Sequence, residues 1–252
     1  MGDQFTSESL YADEPAPAPP AKPVARWEDF MDIFYAPSEV FARREHSGFG
    51  LPLLVVTVLI GVIAAVNMGV MQPIMDAEFT RATAAAMKKD PRVTAEQMQQ
   101  FRAMGEKFAP VFAAIGTPIA IFFVGLTLWL AGKLVDAKQS FGAALMVTSY
   151  AYLPKVIGSI VAGVQGLLMD PATLTGQFKV SLGIGRFLDP DTASPILLAL
   201  VGRMDVFTIW VTVLLVIGLA VTGKISRSSA AIAGVVVWVV GALPALLPAL
   251  RG

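Results

Sequence analysis

One lysine stands where a charge is costly. Lys155 lies in the middle of the apolar stretch 141–169, beside Tyr150, Tyr152 and Pro154 in the run TSYAYLPK. An ionised side chain at such a position is expensive unless it is paired or hydrated. Proline removes one helical N–H and crowds the preceding turn, which releases a carbonyl near Tyr150 or Leu153 for another ligand. A broken helix beside a cation is one form that an intramembrane binding site takes. Asp205, at the entrance of a later apolar stretch, is the natural counter-ion, and Arg203 could compete for it. The alternative is two helical pieces meeting at Pro154, with Lys155 snorkelling to water and the tyrosines packed beneath it. Asn67, inside the first apolar stretch, reads as a hydrogen-bonding link between helices.

Other chemistries are poorly supplied. The chain has no cysteine and a single histidine, His46, so thiol catalysis and multi-histidine metal sites are excluded and no metal or cofactor is expected. No phosphate loop, nucleophile elbow or paired-histidine motif occurs, and an enzyme is not expected. The 19 basic and 19 acidic residues cancel, so there is no overall field to attract nucleic acid.

The elements that hold these residues are membrane spans. Of 252 residues, 55% are hydrophobic and 15% charged, and the mean hydropathy is +0.66. Apolar stretches at 51–71, 111–131, 141–169, 206–222 and 229–250 are each long enough to cross a bilayer as helix. The alternation a membrane barrel needs is absent. The expected fold is therefore an all-α, polytopic membrane bundle of about five transmembrane helices over 47–252. The polar turn 223–228 predicts that the last two spans form an antiparallel hairpin. Pro110 is expected to open the second span, and Pro154 to bend the third. Small residues Gly158, Ala162 and Gly166 recur every four positions, a face for close helix approach and for homodimerisation.

Residues 1–26, rich in Pro and Ala, read as a disordered tail without the features of a secretory signal. Across 27–46, Trp27, Phe30, Met31 and Phe34 share one helical face, followed by Arg43 and Arg44 at headgroup level; this predicts an interfacial amphipathic anchor. Between spans one and two, 76–109 predicts a helical hairpin. Asp90 and Pro91 make its turn, Thr94 and Gln97 its capping box, and Met98, Phe101, Gly105 and Phe108 one apolar face. Met75, Phe79, Ala82 and Ala86 line the incoming helix. Such a hairpin can be a solvated cap packed on itself, or an adaptable docking surface rich in Met. Basic residues on the short connections, Lys133, Lys138, Lys224 and Arg227, together with Arg43 and Arg44, put the N-terminus in the cytoplasm and the C-terminus opposite.

Tyr35, Ala36, Pro37, Ser38 and Phe41 after a Trp/Phe-rich helix, then Tyr150, Tyr152 and Pro154 in the third span, then two closely spaced final spans, together resemble the Yip domain family. The resemblance runs from Trp27 to Leu250. It implies five spans, a cytoplasmic N-terminus and, in eukaryotic members, vesicle trafficking and interaction with Ypt/Rab GTPases. The charged hairpin and short tail depart from the eukaryotic pattern. The Ala-rich, cysteine-free composition suggests a bacterial source and hence an inner membrane, where Rab partners are lacking. The expected function is a noncatalytic membrane protein that organises lipid or recruits protein partners; the alternative is a transporter, channel or lipid-moving protein using Tyr150, Tyr152, Lys155 and Asp205.

Overall fold

A computed structural model describes residues 27–251; the tail expected over 1–26 lies outside the described residues. The described chain is an all-α bundle with five helices long and apolar enough to span a membrane. The elements are α1 (Asp29–Asp32), α2 (Pro37–Arg44), α3 (Gly50–Lys89), α4 (Ala95–Leu134), α5 (Phe141–Ala151), α6 (Leu153–Leu168), α7 (Pro195–Val201), α8 (Val206–Gly223), α9 (Arg227–Val240) and α10 (Leu243–Arg251). Between α6 and α7 the chain makes three short 3-10 turns.

The centre of the bundle is α5. Every residue from Ala143 to Ala151 is buried, which its sequence permits because the hydroxyls of Thr148 and Ser149 are satisfied within the helix by the carbonyls of Ala144 and Leu145. Around it pack Ile121 and Leu128 of α4 and Leu214, Leu215 and Leu219 of α8, and Val237 of α9 belongs to the same core. Close approach sets the spacing. A Cβ on Gly218 would stand 2.3 Å from Val147 and 3.2 Å from Phe41, so only glycine admits both α5 and α2 at that level of α8. Outside this core, Leu54, Val62 and Val66 of α3 and Ile232 and Val235 of α9 are exposed, the composition of a lipid-facing surface.

The first two spans are longer than a bilayer requires. Each of α3 and α4 runs 40 residues, about 60 Å and roughly twice the hydrocarbon thickness. The helix does not begin at Pro110 as expected but continues through it from Ala95. Its start is fixed by the Thr94–Gln97 capping box, with Gln97 N–H on Thr94 Oγ1 at 3.2 Å and Thr94 N–H on Gln97 Oε1 at 3.0 Å. A proline inside a long spanning helix removes one hydrogen bond without ending the helix. The hairpin is thus a continuous helical extension of spans one and two. Arg102 ties its two helices together through Asp76 at 2.5 Å and lies 5.1 Å over the Phe79 ring. Beyond that tie, towards the turn, Arg81 donates to the Thr175 carbonyl and pairs with Asp191 at 3.2 Å, docking the hairpin on the loop between α6 and α7.

The third stretch is two helices. The junction falls at Tyr152, and Pro154 occupies the first turn of α6, where its missing N–H is no loss. The fifth likewise divides, α9 ending at Val240 and α10 starting at Leu243 with Pro244 in its first turn. The small-residue face of α6, expected as a dimer seam, is filled from within the chain. A Cβ on Gly158 would meet Phe207 of α8 at 2.9 Å, and one on Gly166 would meet Val70 of α3 at 2.6 Å.

Candidate functional site

The polar residues singled out in the third stretch separate into two sites. Tyr150 and Lys155 are five residues apart, which at 3.6 residues per turn sets them on nearly opposite sides of the helix axis. Tyr150 turns toward the N-terminal segment and Lys155 toward α8.

At the first site Asp29 is fully buried. Its carboxylate accepts from Arg43 Nε and from Arg44 Nε, each at 2.6 Å, and Tyr150 Oη donates to it at 3.3 Å. Arg43 also pairs with Asp32, which accepts from Tyr35 Oη at 2.7 Å. The Tyr35 hydroxyl, and after it the Arg43 guanidinium, hold the Asp32 carboxyl below its usual range. The apolar residues of this segment seat it in the bundle. Ile33, Val40 and Phe41 are fully buried; Phe30 meets the Tyr150 ring at a tilt with centroids 5.5 Å apart, and Phe34 meets Trp210 edge-on at 5.5 Å.

Among the residues expected as an interfacial anchor, Phe30 and Phe34 therefore face protein and Trp27 is 68% exposed. Arg43 and Arg44 turn inward to acids rather than standing free at headgroups. The physical reason is the pair Asp29 and Asp32, which sequence reasoning passed over. The signal was present, since two acids at i and i+3 inside an apolar stripe require cations, and the next cations in the chain are Arg43 and Arg44.

At the second site Lys155 Nζ donates to Thr208 Oγ1 at 2.6 Å, and Asp205 Oδ1 lies 3.9 Å away. Asp205 is the N-cap of α8, its Oδ1 accepting from the amides of Phe207 at 3.0 Å and Thr208 at 3.2 Å, so the carboxylate serves the helix start first. Arg203 does not compete for it. Its Nη1 donates to the Gly241 carbonyl at 2.7 Å, its guanidinium lies 5.5 Å over the Trp238 ring, and its Nε is buried without a partner. The Tyr150 carbonyl, which Pro154 deprives of its helical partner, accepts instead from a backbone N–H at the junction. One turn further along α6, Asn67 of α3 donates to the Ser159 carbonyl at 2.9 Å, a bond between helices.

Lys155 borders two cavities. One of about 260 Å³ lies toward the α6–α7 loop and is lined by Asp205, Gln177 and Ser181. The other, about 470 Å³, lies between α4, α8 and α9 and is lined by Tyr152, Arg203, Thr208 and Trp238 as well as apolar side chains. Both volumes are of the order of small-molecule sites, about 300–1,000 Å³.

Comparison with known proteins bears on this architecture. The family model described as the Yip1 domain matches residues 31–247. The chain is 25% identical over 208 residues to a protein of Bacillus subtilis (strain 168) named membrane protein YknW, a match that covers 82% of this chain and 83% of that protein. No solved structure matches.

Proposed function

This chain belongs to the Yip1 domain family, and we propose on that footing that it is a noncatalytic multi-pass membrane protein that recruits a protein partner through the α3–α4 hairpin. The observation that supports this reading is the outer stripe of α4. Phe101 is 68% exposed, and Met104 and Phe108 are also exposed, on a helix face that runs on beyond the apolar span. A hairpin acting only as a cap would turn these side chains inward; here Met98 is partly covered and the aromatic residues beyond it are not. Exposed aromatic and methionine side chains on a braced, charged support have the character of an adaptable docking surface. The buried N-terminal segment offers less surface for recruitment, which leaves the hairpin as the better candidate.

In this reading Lys133, Lys138, Lys224 and Arg227, on the two short connections, mark the cytoplasmic side of a bacterial inner membrane. The hairpin then meets its partner on the opposite face. Replacing Phe101, Met104 and Phe108 together by serine tests it. The variant should insert and melt like the wild type, because these side chains carry little of the packing, and should lose its co-purifying partner in mild detergent. Retention of the same partner at the same yield would remove the hairpin from this role.

A second reading, transport or lipid movement, is favoured by the two cavities that meet at Lys155. Lys155→Met would abolish flux in reconstituted vesicles if it holds, and full flux in that variant would dismiss it.

A further inference from the structure

The larger cavity has a wall composition that selects its occupant. Ile119, Phe123, Val211 and Leu215 make its apolar side, while Lys155 and Arg203, joined by the Tyr152 and Thr208 side chains, make its polar end. Among the described residues no carboxylate borders it. Asp205, the acid nearest Lys155, lines the other cavity and is engaged with the first amides of α8. Two cations therefore face one space without an anion in its lining. Arg203 is held at that end by donating from Nη1 to the Gly241 carbonyl at 2.7 Å and by lying 5.5 Å over the Trp238 ring, and among the described residues no carboxylate forms an ion pair with it. The cavity also reaches the lipid-facing surface, because Ile119 is 61% and Phe123 is 41% exposed while both belong to its wall.

We propose that this cavity binds an anionic amphiphile. A phosphate or carboxylate headgroup is held by Lys155 and Arg203, and one acyl chain lies along the apolar wall between α4 and α8. Basic pockets between transmembrane helices hold lipid headgroups in this way. The volume of about 470 Å³ suits a headgroup region and part of one chain, so a second chain of a phospholipid would remain in the bilayer. The inference rests on the second reading, whose site it supplies with a ligand class, but it asks only for equilibrium binding and not for movement.

Trp238 on the cavity wall is a built-in reporter. In the full-length chain with Trp27, Trp129 and Trp210 changed to Phe, its fluorescence is read in nanodiscs of phosphatidylcholine. Each disc carries a small equal fraction of brominated phosphatidylglycerol, brominated phosphatidylcholine or bromopalmitate. The expected result is quenching several-fold stronger by an anionic probe than by the brominated neutral lipid, lost in Arg203→Gln and in Lys155→Gln, and kept in Lys155→Arg. Preference for phosphatidylglycerol alone assigns the site to a membrane phospholipid, and preference for bromopalmitate to a free acid. Equal quenching by neutral and anionic probes, or a preference that survives both Gln variants, overturns the proposal. Thermal melting of each variant separates lost binding from lost fold. Anionic preference without flux would end the transport reading and leave this one standing; flux without anionic preference would do the reverse.

Discussion

Asp29→Asn should be among the most damaging single changes in the protein. Asp29 has no exposure, and the Arg43 and Arg44 side chains that meet it are 24% and 17% exposed. Asparagine keeps the shape and removes the charge, taking from two part-buried guanidiniums the carboxylate that both of them contact. Breaking a buried ion pair by removing one partner costs about 3–5 kcal/mol, and the residual exposure of the arginines puts the loss near the lower end, about 3 kcal/mol. By the scaling for chains of this size that is on the order of 10 °C in melting temperature. Two controls calibrate it. Tyr150→Phe removes only the long 3.3 Å bond to Asp29 and keeps the ring contact with Phe30, at about 0.5 kcal/mol. Arg43→Met leaves Arg44 on the carboxylate and should fall between the two. Thermal unfolding of the detergent-solubilised chain, followed by circular dichroism, ranks the three variants. An Asp29→Asn protein no less stable than Tyr150→Phe would mean that the segment lies on the bundle and is not locked into it.

The same segment predicts a pH dependence. Asp32 is held below its usual range, so its contribution is present above the unfolded carboxyl value near 4 and fades as pH falls through the lower folded value. Melting temperature should hold from neutrality to about pH 5 and drop below about pH 4, and Asp32→Asn should shrink that drop. A Cβ at Gly163 would stand 2.3 Å from Asn67 Oδ1, so Gly163→Ala should destabilise by about 1–3 kcal/mol by forcing α3 and α6 apart, read in the same melts. Because the chain has no cysteine, single cysteines at Met104, Asp189 and Ser228 can be tested with a membrane-impermeant maleimide in sealed vesicles. The first two should label from one side and the third only from the other.

The spans were readable because length and apolar content are local properties, and a polar turn as short as 223–228 leaves its two helices little choice but to return on each other. The capping box at Thr94 was readable for the same reason. The two sites were harder. Tyr150, Lys155 and Asp205 form one group in a linear reading of polar residues in apolar stretches. In the structure the helix turns Tyr150 to Asp29, and Lys155 alone meets Asp205 and Thr208. Asp29 escaped notice because its partners lie 14 and 15 positions away. Arg203 stands near Asp205 in sequence and so offers itself as a rival for Lys155, but its place on Trp238 and Gly241 depends on where α9 ends, which no local pattern states. The length of the hairpin helices was hidden by Pro110, a breaker in water that a spanning helix tolerates.

Recruitment requires the outer face of α4 to meet another protein. A photo-crosslinking residue at Met104, with Val62 on the lipid-facing side of α3 as control, tests this in native membranes. One discrete protein adduct is expected at Met104 and only lipid adducts at Val62. Lipid adducts alone at both positions, or the same protein ladder at both, would contradict it.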